Sequence, residues 1–142
     1  MPFVHLVPLD RYNWEEVIDL QLSPDQQAFI PGTLYSLAQA KFENLTPLGI
    51  MADSRMVGLV MYGEFGGICW ISRIMIDYDH QRQGIGREAM QELLTSLKRN
   101  ISCKEIRTSH AINNYAAADF FSALGFKPVA DPLEDEVVMT LG

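Results

Sequence analysis

The sequence is poor in positive charge, in cysteine and in histidine, and it has no long apolar run. Its 142 residues carry 11 Lys and Arg against 18 Asp and Glu, a formal net charge of −7. Such a surface repels phosphate backbones, so no nucleic-acid partner is expected. Cys69 and Cys103 are too few and too isolated for a disulfide framework or a thiolate metal centre. His5, His80 and His110 show no ligand spacing, so no metal is expected either. No apolar stretch approaches the roughly 20 residues of a membrane span. Met1-Pro2-Phe3-Val4-His5 lacks the basic and apolar segments of an export signal. These absences, with unpaired thiols, point to the cytoplasm and to no membrane partner. No repeat, low-complexity segment or linker divides the chain, so one domain over residues 1–142 is expected.

What is present is apolar residues at 48%, enough for a core. Phe3 to Val7 reads as a strand. Asn13 and Glu16 are spaced as a capping box, and Trp14, Val17, Ile18 and Leu22 follow at helical spacing until Ser23-Pro24-Asp25 interrupts. A second helix opens at Pro31-Gly32-Thr33, with Leu34, Leu37, Ala38 and Phe42 on one face. The period then shortens: Leu48–Ala52, Met56–Gly63 and Ile68–Ile76 read as an antiparallel meander. Ile85, Ala89, Met90, Leu93, Leu94 and Leu97 restore helical spacing. A strand over Glu105–Ser109 precedes a helix capped by Asn114, with Ala117, Phe120, Phe121 and Leu124 buried and Gly125 as its stop. Phe126–Ala130 and Glu136–Leu141 close the chain as strands. The order β, α, α, β, β, β, α, β, α, β, β predicts an α/β sandwich of mixed sheet and covering helices.

The segment Ile74 to Arg87 carries the chemistry. A buried strand ends, a polar loop follows, and a helix starts at Gly84 and Gly86. Helix N-termini expose unpaired N–H groups and partial positive charge, and glycine lets that backbone approach a ligand. Arg82 and Arg87 flank the turn in an otherwise acidic chain. The reading is an anion site suited to a diphosphate. Gly84-Ile85-Gly86-Arg87-Glu88-Ala89 also matches the dinucleotide fingerprint, but six residues, Tyr78 to Gln83, separate it from its strand, and too little chain follows for a dehydrogenase.

Gln81-Arg82-Gln83-Gly84-Ile85-Gly86 resembles the Q/R-x-x-G-x-G/A motif of the GCN5-related N-acetyltransferases, the GNAT superfamily. Asn114 through Gly125-Phe126 resembles that superfamily's second motif, and the element order matches over essentially the whole chain. The resemblance implies a GNAT-type α/β/α sandwich with a central mixed, mostly antiparallel sheet. It implies acetyl-coenzyme A as cosubstrate, its diphosphate held by Gln81, Arg82, Gln83, Gly84, Ile85, Gly86 and Arg87. The backbone of Ile74, Met75 and Ile76 would pair with the pantetheine arm, and Asn114 would meet the arm from the other side. Phe121 stands where many members carry the tyrosine that protonates the departing thiolate, so the acid falls to water, Tyr62 or Ser72. Dimers are common in the superfamily, and a homodimer is a possible state.

Amine acylation needs a neutral amine, and an alkylamine of pKa about 10.4 must first lose a proton. Glu64 and His110 are candidate acceptors for it. Leu20 to Ile30, Ser36 to Ala40, Val57 to Gly63 and Ser72 to Asp77 resemble bacterial spermine/spermidine (diamine) acetyltransferases of this superfamily, which implies a polyamine acceptor. A polycation wants carboxylates. Glu15, Glu16, Asp19, Asp25 and Glu64 lie on the expected acceptor side, Asp25 and Glu64 foremost. The alternatives are another amine (a peptide N-terminus, an aminoglycoside or an amino acid) or an acetyl-coenzyme A-binding module without catalysis.

Overall fold

Short alternating runs separated by turn residues build the strands. The computed structural model describes residues 2–129 and 135–141. Its strands are β1 (Val4–Pro8), β2 (Thr46–Ala52), β3 (Arg55–Phe65), β4 (Ile68–Ile76), β5 (Glu105–Ala111), β6 (Lys127–Pro128) and β7 (Glu136–Leu141). They form a 7-stranded sheet in the order β1-β2-β3-β4-β5-β7-β6. Neighbours are antiparallel except β4 and β5, which run parallel. The helices are α1 (Trp14–Ile18), α2 (Pro24–Gln27), α3 (Thr33–Phe42), α4 (Ile85–Lys98) and α5 (Tyr115–Ala123).

Two cores flank the sheet. The stripe Ile85, Ala89, Met90, Leu93, Leu94 and Leu97 of α4 packs with Phe121 of α5 against Val60, Ile71 and Ile106. On the other face Val17, Leu22 and Ala40 of the α1–α3 layer meet Leu59, Met61 and Met75. The α/β/α sandwich and its mixed, mostly antiparallel sheet are as the sequence predicts.

Several local expectations are corrected. Asn13 makes no side-chain cap on α1. Its Oδ1 accepts from Asp10 N at 2.8 Å and its Nδ2 donates to Pro8 O at 3.1 Å, while Asp10 Oδ1 takes the N–H groups of Tyr12 and Asn13. The two side chains exchange bonds across the turn, so no capping box forms. Ser23-Pro24-Asp25 starts a helix as well as ending one: Ser23 Oγ accepts from Gln26 N, and Pro24 is pre-set for the first helical position.

The predicted face of α3 is turned. Leu37 packs against the inner core as expected, but Ala38 is exposed, Leu34 and Phe42 are 64% and 84% exposed, and Thr33, Ser36 and Ala40 face inward instead. The cause lies on β4, where Arg73 Nη1 donates to Ser36 Oγ at 2.9 Å and to Gln39 Oε1 at 2.8 Å. A guanidinium beneath the helix requires oxygen acceptors and small residues above it. β5 extends past Ser109 to Ala111, and the expected strand over Phe126–Ala130 is confined to Lys127–Pro128, with Ala130 outside the described residues.

Candidate functional site

β4 and β5 are neighbours for only part of their length. They pair from Ile68↔Glu105 to Ile71↔Thr108, after which β5 stays with β7 as far as Ala111↔Glu136. At the parting point the β3–β4 register slips. Met61 faces Arg73 while Tyr62 faces Ile71, which leaves Ser72 as an extra residue. Such a bulge bends and twists its strand. Thr108 Oγ1 donates to Ile71 O at 2.9 Å and closes the last rung. Beyond it the sheet forks. Asp77 N donates to Val57 O, so strand alternation turns Met75's backbone groups toward β3 and those of Ile74 and Ile76 toward the open side. The Met75 side chain faces the α1–α3 layer, whereas Ile74 and Ile76 pack toward α4 and α5.

The glycine turn sits at the mouth of the fork. A single 3-10 turn, Tyr78–His80, precedes it. Arg82 and Gly84 both adopt left-handed backbone, with φ of 64° and 78°. Left-handed residues within a turn aim successive N–H groups to one side and make an anion nest. The first bond of α4 runs from Glu88 N to Gly84 O, and no backbone N–H from Arg82 to Arg87 donates to a described residue. Those donors add to the positive end of the α4 dipole. Arg82 and Arg87 are exposed, and neither pairs with a described carboxylate. A Cβ built on Gly86 would meet the Phe120 ring at 3.5 Å and Ile76 Cγ1 at 3.6 Å, so β4, α4 and α5 converge there.

A set of side chains that sequence reasoning missed fastens this turn to the opposite layer. Gln81 Nε2 donates to Ile76 O at 2.9 Å and to Gln26 Oε1 of α2 at 2.7 Å. Asp77 Oδ1 accepts from Gln21 N at 2.9 Å, and Tyr78 N donates to Gln21 O at 2.6 Å. His80 Nδ1 lies 3.1 Å from Asp77 Oδ2. The bonds to Gln21 and Gln26 join partners more than fifty residues apart in sequence, and no local pattern signals them.

Asn114 caps α5, its Oδ1 accepting from Ala117 N at 3.2 Å, which leaves its Nδ2 free to donate. Phe121 is 5% exposed and edge-on to Phe120 and Phe126. His110 is 8% exposed and stands on the diverged part of β5. Its Nδ1 lies 2.8 Å from Ala111 O. A carbonyl only accepts, so Nδ1 carries the proton and Nε2 is the open acceptor of the neutral ring. Ser72 Oγ donates to Met61 O at 3.3 Å. Tyr62 is half-buried beside the bulge.

Glu64 is exposed and faces Cys69, in the stretch where β4 and β5 are still paired. Asp25 is exposed on α2. Burial, and then the neighbouring Cys103, push the Cys69 thiol up to about 12, so it stays protonated and is no nucleophile. The structure thus gathers Ser72, Ile74, Ile76 and His110 along the fork, with Arg82 to Arg87 and Asn114 at its mouth. It leaves Glu64, Asp25 and Cys69 outside that cluster. On the far face a cleft of about 480 Å³ lies between the α1–α3 segment and Met75. Among the described residues no group of His, Cys, Asp or Glu is arranged to hold a metal, and no helix is long and apolar enough to cross a membrane.

A forked sheet with a nest of free amides at its open end offers donors suited to a phosphate-bearing, chain-like ligand. Residues 14–126 match the family model described as the acetyltransferase (GNAT) family, and the chain belongs to that family. It is an acetyl-coenzyme A-dependent N-acetyltransferase. It is similar to the spermine/spermidine N(1)-acetyltransferase of Bacillus subtilis, with 30% identity over 124 residues, 81% of this chain and 82% of the relative. Among solved structures it is similar in fold to an acetyltransferase from Thermus thermophilus, at a TM-score of 0.81 and 20% identity over 99% of each chain. It is also similar to the PaiA N-acetyltransferase of Thermoplasma acidophilum, solved in complex with coenzyme A, at a TM-score of 0.73 and 16% identity over 97% of this chain and 98% of that one.

Proposed function

We propose that the chain transfers acetyl from acetyl-coenzyme A directly to a primary amine of a polyamine such as spermine or spermidine. The observation that carries the coenzyme part is the run of free N–H groups from Arg82 to Arg87 beside the unpaired edge of β4. These residues fit the group: amides and two guanidinium groups for a diphosphate, and the backbone of Ile74 and Ile76 for an extended amide-bearing arm. Asn114 Nδ2, left free by the cap on α5, supports a further bond to the same arm. The polyamine part is supported by the Bacillus relative and by the net charge of −7.

When bound, the coenzyme supplies an acetyl group activated as a thioester. The remaining work belongs to the protein. The nest and its arginines fix the position of the cosubstrate along the fork. His110 Nε2, which bonds to no described residue, takes the proton of the attacking amine when the ring is neutral. Phe121 offers no proton to the leaving sulfur, and a thiol with a pKa of about 8.5 leaves without strong acid assistance. The Cys69 thiol stays protonated, which supports a route without an acyl-enzyme.

The test is coenzyme A release from acetyl-coenzyme A over an amine panel: spermine, spermidine, a peptide, an aminoglycoside and an amino acid. The polyamines are expected to give the highest kcat/KM. Turnover of the peptide with silent polyamines would reject the acceptor. Calorimetric binding of acetyl-coenzyme A with no turnover on any amine would reject catalysis.

A further inference from the structure

The fold brings together two thiols that the sequence keeps apart, and the transfer chemistry uses neither. Cys69 is fully buried on β4, beside Ile106 of β5 in the parallel ladder. Both side chains lie in the core beneath α4, and Cys103 packs against that same core from the connection between α4 and β5. Cys103 Sγ donates to Glu105 O at 3.6 Å. That carbonyl belongs to the peptide leading into Ile106, so the Cys103 sulfur lies one strand over from Cys69 and on the same face of the sheet. Neighbouring strands are only about 4.8 Å apart. Among the side chains around Cys69, Cys103 acts on its thiol most strongly. Thiols are weak donors, so Cys103 gives up Glu105 O and turns toward Cys69 at little cost. Exposure divides the pair: Cys69 is sealed from solvent, whereas Cys103 is half-buried.

We propose that Cys69 and Cys103 are a redox pair, which hydrogen peroxide closes into a disulfide between β4 and the α4–β5 connection. Peroxide reaches the half-buried Cys103 first. The Cys103 sulfur attacks one peroxide oxygen, the O–O bond breaks, and a sulfenic acid and one water result. The Cys69 sulfur then attacks the Cys103 sulfur. The S–S bond forms as the S–O bond breaks, and the departing hydroxide takes the Cys69 proton and leaves as a second water. Two thiols and one peroxide thus give one disulfide and two waters. A dithiol reductant returns both thiols by exchange. The new bond sits at the end of the fork where β4 and β5 are still paired, and leaves the open end as it is. It closes a loop of about 35 residues, a constraint on the unfolded chain that raises Tm by roughly 5–10 °C. The resistance of this enzyme to unfolding therefore responds to oxidant. Nothing in the proposal depends on which amine is acetylated.

The experiment treats the full chain with hydrogen peroxide, blocks remaining thiols with iodoacetamide, digests with trypsin and maps the peptides by mass spectrometry without reductant. The expected product is the peptide Asn100–Lys104 joined to Met56–Arg73, lighter by two hydrogens than the two alone and released by dithiothreitol. The map also separates this change from oxygen added at methionine. Cys69→Ala is expected to stop at an oxygenated Cys103, and Cys103→Ser to leave the Cys69 thiol intact. In the wild type, differential scanning fluorimetry is expected to show the rise in Tm after peroxide and its reversal by dithiothreitol. Three results would overturn the proposal: Cys103 oxidised to the sulfonic acid with Cys69 still a thiol, a disulfide between two chains, or a linked chain whose Tm is unchanged or lower. The wild-type map decides the matter even if a variant fails to fold.

Discussion

Arg82 holds a left-handed backbone at φ 64° without being glycine, and this makes Arg82→Gly a test that separates folding from function. An L-residue in that region costs roughly 1–2 kcal/mol. Glycine removes the cost but adds freedom to the unfolded chain worth about 0.5–1 kcal/mol. The net is a stabilisation of about 0.5–1 kcal/mol, which for a domain of this size raises Tm by roughly 2–4 °C. The same change removes a guanidinium from the proposed diphosphate site. A hydrogen bond to a charged partner is worth about 1.5–3 kcal/mol, so the Kd for acetyl-coenzyme A rises roughly 10- to 100-fold at low salt. Differential scanning fluorimetry reads the first quantity and isothermal calorimetry the second, with the loss of affinity shrinking as salt is added. A stabilised variant that binds as tightly as the wild type would remove Arg82 from the site. A lower Tm would mean that the loop does not hold the left-handed turn in solution.

Other consequences are independent of that one. Thr108→Val removes the hydroxyl that donates to Ile71 O at the fork, and urea unfolding is expected to show a loss of about 1–2 kcal/mol; no loss would mean that the rung does not form. Cys69→Ala is expected to retain kcat, and iodoacetamide is expected to react with Cys103 well before Cys69, whose thiol is pushed up to about 12. Loss of turnover in the alanine variant would reinstate a covalent route. The Glu105 carboxyl is held below its usual range by bonds from Arg107 and Thr140. Its contribution is therefore complete above the ordinary carboxylate pKa and fades as pH falls through the lowered one. The stability gap between wild type and Glu105→Gln is expected at neutral pH and to close in acid; a gap independent of pH would refute the pairing.

Much of the architecture was legible because its signals are local. The stripe on α4 repeats at helical spacing along a fourteen-residue helix, and Gly84 and Gly125 take the left-handed backbone that only a few residue types adopt readily. What escaped was set by distant partners. The inward face of α3 follows Arg73, which lies on another element. The fork depends on one inserted residue, Ser72, and a single bulge leaves no periodic trace. Helix α2 is four residues long, too short for a pattern, and is marked only by Ser23 and Pro24. At the site, the glycine turn and Asn114 could be read from motif spacing, whereas Gln81's bond to Gln26 joins segments that meet only in the folded chain.

The interior edge of β4 past Ile71 has a further consequence. Raw strand edges are adhesive, and proteins normally hide them or blunt them. Here the edge is kept inside the molecule, flanked by its own diverging neighbour, so another chain has little room to zip onto it while a slender guest with amide groups can. A guest bound there as proposed would complete the sheet as a surrogate strand and tie its two halves together. The endurance of the folded enzyme in a cell would then track the supply of its cosubstrate, since a ligand that binds only the native form shifts the whole unfolding equilibrium.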